Sequence, residues 1–162
     1  MTRLRAALSI ALFALAPALP RDAFGCFGAR LRVGVSAESA QALASYAAGY
    51  YVEEKTGVAP EFVDVKGDPG SALRQGEVDV FLAGSEATAP GEVSLREAGE
   101  IPGLGPGRFW IRPEVLDDLR FFTVERALKS IPGFYGSEAY REVSESGAPP
   151  KAAARRAVLR AP

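Results

Sequence analysis

Apolar and polar residues alternate along three short stretches of the chain, a pattern typical of β-strands. The first stretch covers residues 31–35, the second covers residues 61–65 and the third covers residues 78–83. Each contains two valines, which fit the pleated surface of a sheet better than the surface of a helix. We therefore expect three strands in the first half of the chain.

Helical patterns fill the gaps between these strands. Apolar positions three, four and seven residues apart predict an amphipathic helix over residues 38–56, which ends at Gly57. A shorter helix over residues 71–75 ends at Gly76. Strands that alternate with helices through short links predict an α/β domain, with a mostly parallel sheet flanked by helices.

The second half of the chain does not continue this alternation of strands and helices. Proline and glycine are so frequent over residues 88–107 that a loop or a crossover is expected there. Residues 108–112 are predicted to form a strand, and Pro113 suits the first turn of a helix that runs through Leu119. Three further helices are predicted over 124–131, 137–145 and 150–159, separated by Pro132-Gly133 and by residues 147–149.

The N-terminus has the pattern of a secretory signal. Two arginines in the first five residues precede 14 mainly apolar residues, 6–19, a stretch too short to span ~30 Å of hydrocarbon comfortably. We expect residues 1–25 to be a signal peptide and residues 26–162 to be one α/β domain. Removal of Arg3, Arg5, Arg21 and Asp22 with the signal would change the net charge from −1 to −3.

Two cleavage patterns compete in this segment. Residues 16–18 match an A-x-A site, whereas residues 23–25 place small residues before Cys26 and resemble a bacterial lipobox. The lipobox would make Cys26 a lipidated anchor, and the alternative is a lone thiol near the mature end. Unless Cys26 is lipidated, no stable membrane insertion is expected after cleavage.

Composition excludes several classes of chemistry. The chain has no histidine and one cysteine, so imidazole-based catalysis, a thiolate zinc site and an intrachain disulfide are excluded. We expect no enzyme activity, no resident metal and no cofactor. A net charge of −1, without a block of lysine or arginine, also argues against nucleic acid as a partner.

Candidate binding residues follow the three predicted strands. In open α/β sheets, ligands bind outside the carboxyl ends of the strands, where loops and helix N-termini present hydrogen-bond donors. The loops here are small and hydroxylated, which suits a small-molecule ligand; the alternative is that they are ordinary turn and cap residues. The candidate ligand contacts are Ser36, Ser39, Gly67, Asp68, Gly84 and Ser85.

Several segments together resemble the first lobe of bacterial periplasmic substrate-binding proteins of the glycine betaine/choline/proline osmoprotectant type. They are residues 31–35, the helix end at 53–57, the turn at Gly67 and residues 72–80. Residues 109–159 also resemble the part of that family in which the chain returns to the first lobe. The resemblance implies a single lobe of a type II periplasmic-binding-protein-like fold.

The same resemblance implies a function. Members of this family are exported, some are lipid-anchored, and they hand a solute to an ABC-type membrane permease. We therefore expect a periplasmic protein that binds glycine betaine or a related quaternary ammonium or amino-acid-like osmolyte. The family closes two lobes around its ligand, whereas only residues 86–107 stand where the second lobe would be inserted. The alternative is an interaction or scaffold protein that retains one lobe and binds no ligand.

A quaternary ammonium is bound by the faces of aromatic rings. Trp110 is the candidate aromatic wall, beside Phe81, although a Phe–Trp pair on adjacent strands also suits a core. On the first long helix, Tyr46 and Tyr50 are expected to pack against the protein and Tyr51 is expected to be exposed.

Overall fold

A computed structural model of the protein describes residues 30–161. The expected signal peptide, residues 1–25, and the candidate lipidation residue Cys26 lie outside this range. The described chain forms a five-stranded sheet and six α-helices. The strands are β1 (Leu31–Val35), β2 (Pro60–Asp64), β3 (Val80–Gly84), β4 (Ser94–Ile101) and β5 (Gly105–Ile111), and the helices are α1 (Ser39–Thr56), α2 (Pro69–Arg74), α3 (Pro113–Asp117), α4 (Phe122–Tyr135), α5 (Glu138–Glu145) and α6 (Pro150–Arg160).

The sheet is mixed, with the strand order β2-β1-β3-β5-β4. β1 pairs in parallel with both β2 and β3, whereas β5 pairs antiparallel with both β3 and β4. The α/β class with a sheet flanked by helices is therefore confirmed. The expectation of a mostly parallel sheet is correct only for the first three strands, because β4 and β5 form a hairpin and hairpin strands are antiparallel.

The glycine-rich segment expected to be a loop or crossover contains β4 and the start of β5. Its glycines stand where strands bend or turn and do not interrupt them. Gly99, with φ of +80°, lies at a bulge in β4, and Gly103 and Gly105 take φ of +81° and +82° in and beside the hairpin turn. Left-handed backbone of this kind favours glycine, so the residues that suggested a loop build the hairpin.

Two prolines behave differently from expectation in the helical half. The helix begun at Pro113 stops at Asp117, because the Asp118 carboxylate accepts a hydrogen bond of 2.9 Å from the Arg120 amide and starts a separate 3-10 turn, Leu119–Phe121. Pro132 does not end its helix, since α4 continues to Tyr135. Burial of the residues on both sides of Pro132 outweighs the ~3 kcal/mol that an interior proline costs.

Apolar clusters cover both faces of the sheet. The main cluster joins β1, β3 and β5 to α1, α4, α5 and α6. The second cluster lies on the opposite face, where Phe81, Ala83 and Trp110 pack against Ala72 and Leu73 of α2. Alternate residues of β3 thus face opposite helices, as the two-residue period of a strand requires. The consequence for the site is that α1 and α2 lie on opposite faces.

A buried ion cluster closes the edge of the sheet at which β1 and β3 begin. The Asp79 side chain is only 4% exposed and accepts hydrogen bonds from the backbone amide of Arg32 at 2.9 Å and from its Nη2 at 2.9 Å. The Nη2 of Arg112, which follows β5, lies 3.2 Å from the same carboxylate. One carboxylate therefore joins three strands through two arginines.

Two buried tyrosines of the main cluster differ in how their hydroxyls are satisfied. The Tyr135 hydroxyl on α4 donates a 2.8 Å hydrogen bond to the carbonyl of Ala44 on α1. The Tyr140 hydroxyl is buried without a hydrogen-bond partner in the described range. Burial raises the pKa of both hydroxyls above their ordinary value, so both are neutral at physiological pH.

This difference predicts opposite outcomes for two matched substitutions. Tyr135→Phe should lower the free energy of unfolding by about 1–2 kcal/mol, because it removes a buried hydrogen bond. Tyr140→Phe should leave the free energy of unfolding unchanged or raise it, because it removes an unpaired polar atom. Urea denaturation of both variants measures the effect; equal losses in the two would contradict the assignment.

Candidate functional site

The carboxyl ends of β1, β2 and β3 lie at one edge of the sheet, here called the carboxyl edge. The three predicted loops follow these strands, at residues 36–38, 65–68 and 85–87. The hairpin turn at residues 102–104 joins the same edge, because β4 and β5 are each antiparallel to their neighbours. The structure therefore brings the three predicted loops to one edge and adds a fourth segment.

Connectivity marks one point along this edge. The chain leaves β1 through α1 to reach β2 and then returns through α2 to reach β3 on the other side of β1. α1 and α2 accordingly cover opposite faces, which leaves a crevice outside the ends of β1 and β3. Ligands of open α/β sheets bind at such a topological switch point.

The β1 side of this switch point carries Ser36 and Ser39. The Ser36 hydroxyl accepts a hydrogen bond of 3.2 Å from the Glu38 amide, which fixes the turn into α1. Glu38 caps α1 without a side-chain hydrogen bond, and Ser39 is exposed in the first turn. Gln41 reaches from α1 to the Leu82 carbonyl and ties the helix to β3. The first amides of α1 thus face the edge without a side-chain cap.

The β3 side carries Gly84 and Ser85. The Ser85 amide donates to the Pro106 carbonyl at 2.9 Å, so the β3 loop is held against the start of β5. A side chain at Gly84 would meet no atom within 4 Å, which shows open space beside the end of β3. On the far side, a Cβ at Gly103 would lie 3.8 Å from the Cβ of Ala40, so the hairpin turn lies against α1.

Gly67 and Asp68 line a separate pocket of about 200 Å³ at the end of β2. The Asp68 carboxylate accepts hydrogen bonds from the amides of Gly70 at 3.3 Å and Ser71 at 2.7 Å, and it lies 3.6 Å from Arg74. These contacts make Asp68 the N-cap of α2. The pocket also contains Lys66 and Gln75.

Ser39 lines a third depression, of about 230 Å³, on the side of α1 that faces the last two helices. Leu43 of α1 and Val143, Ser144 and Gly147 at the end of α5 form much of its wall. The candidate residues therefore share an edge of the sheet, but Ser39 and Asp68 line different pockets along it.

Trp110 is not brought to this edge. It pairs with Phe81 in the β3–β5 register and is 5% exposed within the second cluster, with ring centroids 5.9 Å apart. Trp110 lies four residues along β5 from Pro106, a distance of roughly 13 Å at ~3.3 Å per residue. Its surroundings are those of a core residue, so it supplies no aromatic wall at the carboxyl edge.

The expectation that Tyr46 and Tyr50 pack against the protein is confirmed, because both rings lie between α1 and the edge strand β2. Tyr46 and Tyr50 meet the Phe62 ring edge-on, with centroids 4.8 and 5.2 Å apart. Lys151 lies 5.6 Å from the Phe62 centroid and Arg155 lies 5.6 Å from that of Tyr50. Burial raises the pKa of the Tyr46 hydroxyl. Cations of α6 thus already cover these rings, whose only signal in the sequence is the four-residue spacing of the tyrosines.

Tyr51 is buried, contrary to the expectation that it is exposed. Its ring stacks on Phe134 with centroids 5.0 Å apart, and its hydroxyl lies 3.2 Å from that of Ser130. The reason is that α4 covers α1 on a second side, which the pattern of α1 alone does not reveal.

Within residues 30–161, no group of three or more histidine, cysteine, aspartate or glutamate side chains is arranged to hold a metal ion. No helix in the same range has both the length and the apolar character needed to cross a membrane.

Comparison with known proteins identifies no relative of this chain. No protein-family model, curated protein or solved structure matches the chain.

Proposed function

We propose that the protein is an exported solute-binding protein of the kind that serves an ABC-type permease. Its ligand would be glycine betaine, a related quaternary ammonium or an amino-acid-like osmolyte, held by a single lobe of a type II periplasmic-binding-protein-like fold. The proposal rests on the resemblance of residues 31–84 to the first lobe of osmoprotectant-binding proteins.

One structural observation supports the proposal independently of the resemblance. The open space beside Gly84 lies at the switch point between β1 and β3, and Ser36 and Ser85 stand in the two loops that follow these strands. Uncapped amides of α1 and the hydroxyls of these serines are donors that suit the carboxylate of a betaine or an amino acid.

The cationic end of the ligand has a different environment. With Trp110 in the core, Glu38 and Glu86, in the loops after β1 and β3, are acidic groups that can attract an ammonium. Both are exposed, where an ion pair is worth about 1 kcal/mol or less. We therefore expect millimolar affinity, unless a partner supplies the wall that a second lobe would provide.

Filling the open space beside Gly84 should block binding without unfolding the protein. Ligand at about 100 times its Kd stabilises a native state by ~2.7 kcal/mol, which raises Tm by roughly 5–10 °C for a domain of this size. We expect such a rise with glycine betaine, choline or carnitine, and its loss in Gly84→Val. Differential scanning calorimetry measures both.

Gly133→Val is the matched control, because a side chain there also meets no atom within 4 Å, and Gly133 is exposed on α4, outside the loops of the proposed site. It should retain the full ligand-induced rise. A wild-type protein whose Tm does not respond to any of these solutes would count against the proposed function.

The second candidate is an interaction or scaffold protein that binds no solute. It is favoured by the division of the predicted residues between pockets and by the use of Asp68 as a helix cap. Affinity purification of the exported protein tests it, with a stable stoichiometric complex and no solute response as the expected result.

A further inference from the structure

A further pocket lies at the opposite edge of the sheet, where β4 begins and β5 ends. Its volume of about 440 Å³ is roughly twice that of either pocket at the carboxyl edge and falls within the range of small-molecule sites. We call it the amino-edge pocket. It is lined by Leu73, Arg74, Glu92, Val93, Arg112, Pro113 and Glu114.

The buried carboxylate of Asp79 holds one wall of this pocket in place. It contacts the Nη2 of Arg112 at 3.2 Å and also pairs with Arg32, so two guanidinium groups share one carboxylate. The Nε of Arg112 is buried without a hydrogen-bond partner within residues 30–161, and the Oε2 of Glu114 lies 3.9 Å from it. The pocket therefore contains a positioned cation with an unused donor.

Arg74 supplies a second positive group. Its Nη2 lies 3.6 Å from Asp68, and both side chains are at least half exposed. An exposed pair at this separation is worth about 1 kcal/mol or less, so Arg74 can exchange Asp68 for a ligand carboxylate at small cost.

Two glutamates also line the pocket. Glu92 has φ of +66° and is the one non-glycine residue with positive φ in the described chain. Left-handed backbone at a residue other than glycine, asparagine or aspartate is strained, and such strain clusters at ligand-binding positions. Glu114 lies in the first turn of α3 and is largely exposed. The pocket thus pairs two cations with two anions.

We propose that the amino-edge pocket binds a zwitterion of the α-amino acid type with an aliphatic side chain. The ligand carboxylate pairs with Arg74 and Arg112, its ammonium pairs with Glu92 and Glu114, and its side chain packs on Val93 and Pro113. A net balance of charge around apolar walls selects this class over a simple anion or a simple cation. The pocket lies at the other edge of the sheet from the proposed solute site and does not depend on it.

Amide chemical-shift titration distinguishes this proposal from the proposed function. L-valine is the probe, with isovalerate, which lacks the amine, and isobutylamine, which lacks the carboxylate. We expect L-valine to shift the amides of Glu92, Val93 and Arg112 with millimolar Kd. Each single-charge probe should bind about tenfold more weakly, because one charge-assisted contact is lost.

Variants of the exposed charges test the assignment without removing the buried ion cluster. Arg74→Gln and Glu92→Gln should each raise the Kd for L-valine about tenfold, while Arg126→Gln and Glu53→Gln, exposed residues elsewhere, should leave it unchanged.

Isovalerate binding as tightly as L-valine would overturn the proposal, because it would mean that the carboxylate alone is recognised. Shifts confined to residues 36–41 and 84–87 would overturn it too, while supporting the proposed function. If L-valine at up to tens of millimolar shifts no amide at the amino-edge pocket, the proposal is also overturned.

Discussion

Asp79→Asn is expected to lower the free energy of unfolding by about 2–3 kcal/mol. Removing one partner of a buried ion pair leaves the other charge uncompensated, at a cost of ~3–5 kcal/mol when both are fully buried. Here the arginines are partly exposed, with 36% of the Arg32 side chain and 26% of the Arg112 side chain accessible, so water recovers part of the loss. Because Asp79 joins β1, β3 and the end of β5, the effect is expected in the cooperative unfolding of the whole sheet.

Urea denaturation followed by circular dichroism measures this effect, and Tm should fall by roughly 5–12 °C. Asp117→Asn is the matched control, because Asp117 is exposed at the end of α3, and it should change the free energy of unfolding by no more than about 0.5 kcal/mol. Equal stability of the two variants would show that the ion cluster contributes nothing to the sheet.

The first half of the fold could be predicted because its signals are local. β1 occupies the predicted residues 31–35, and α1 differs from its predicted start by one residue. Gly57 ends α1 with φ of +74° and donates to the Glu53 carbonyl at 2.8 Å, which is the role that its position after the apolar pattern predicts. The ends of such elements can be read from local residues, such as the glycine that follows a helix.

The hairpin could not be predicted in the same way. A glycine at a bulge and a glycine in a loop look alike in a sequence, and only the pairing of Gly99 beside Gly107 distinguishes them. Similarly, whether Pro132 ends α4 depends on the burial of Ile131 and Phe134, which is set by distant helices. Long-range pairing and packing decided these elements, and neither is encoded in a local pattern.

The candidate site, too, could be predicted only in part from the sequence. The loop after each parallel strand could be placed at one edge from the order of elements alone, since parallel strands point the same way. The side of the sheet that Trp110 faces could not be predicted, because it depends on the register between β3 and β5. The amino-edge pocket gave no signal either, because Arg74, Glu92 and Arg112 come from three separate elements.

Ala154→Leu is expected to lower the free energy of unfolding by about 1–3 kcal/mol. Ala154 of α6 is fully buried in the main cluster, and α6 packs directly on α1, whose Ala44 and Ala47 are also fully buried. Small residues on both helices allow a close approach, and a leucine in a filled core forces neighbouring side chains from their rotamers. Thermal and urea denaturation should both register the loss.

Ala152→Leu is the matched control for this substitution. Ala152 stands two residues earlier on the same helix and is exposed, so the same added volume enters solvent, and stability should change by no more than about 0.5 kcal/mol. The contrast isolates packing from helix propensity, because alanine-to-leucine changes helix propensity equally at both positions. If Ala154→Leu is as stable as Ala152→Leu, α6 does not dock on α1 through its alanine face, and the main cluster must be closed by α4 and α5 alone.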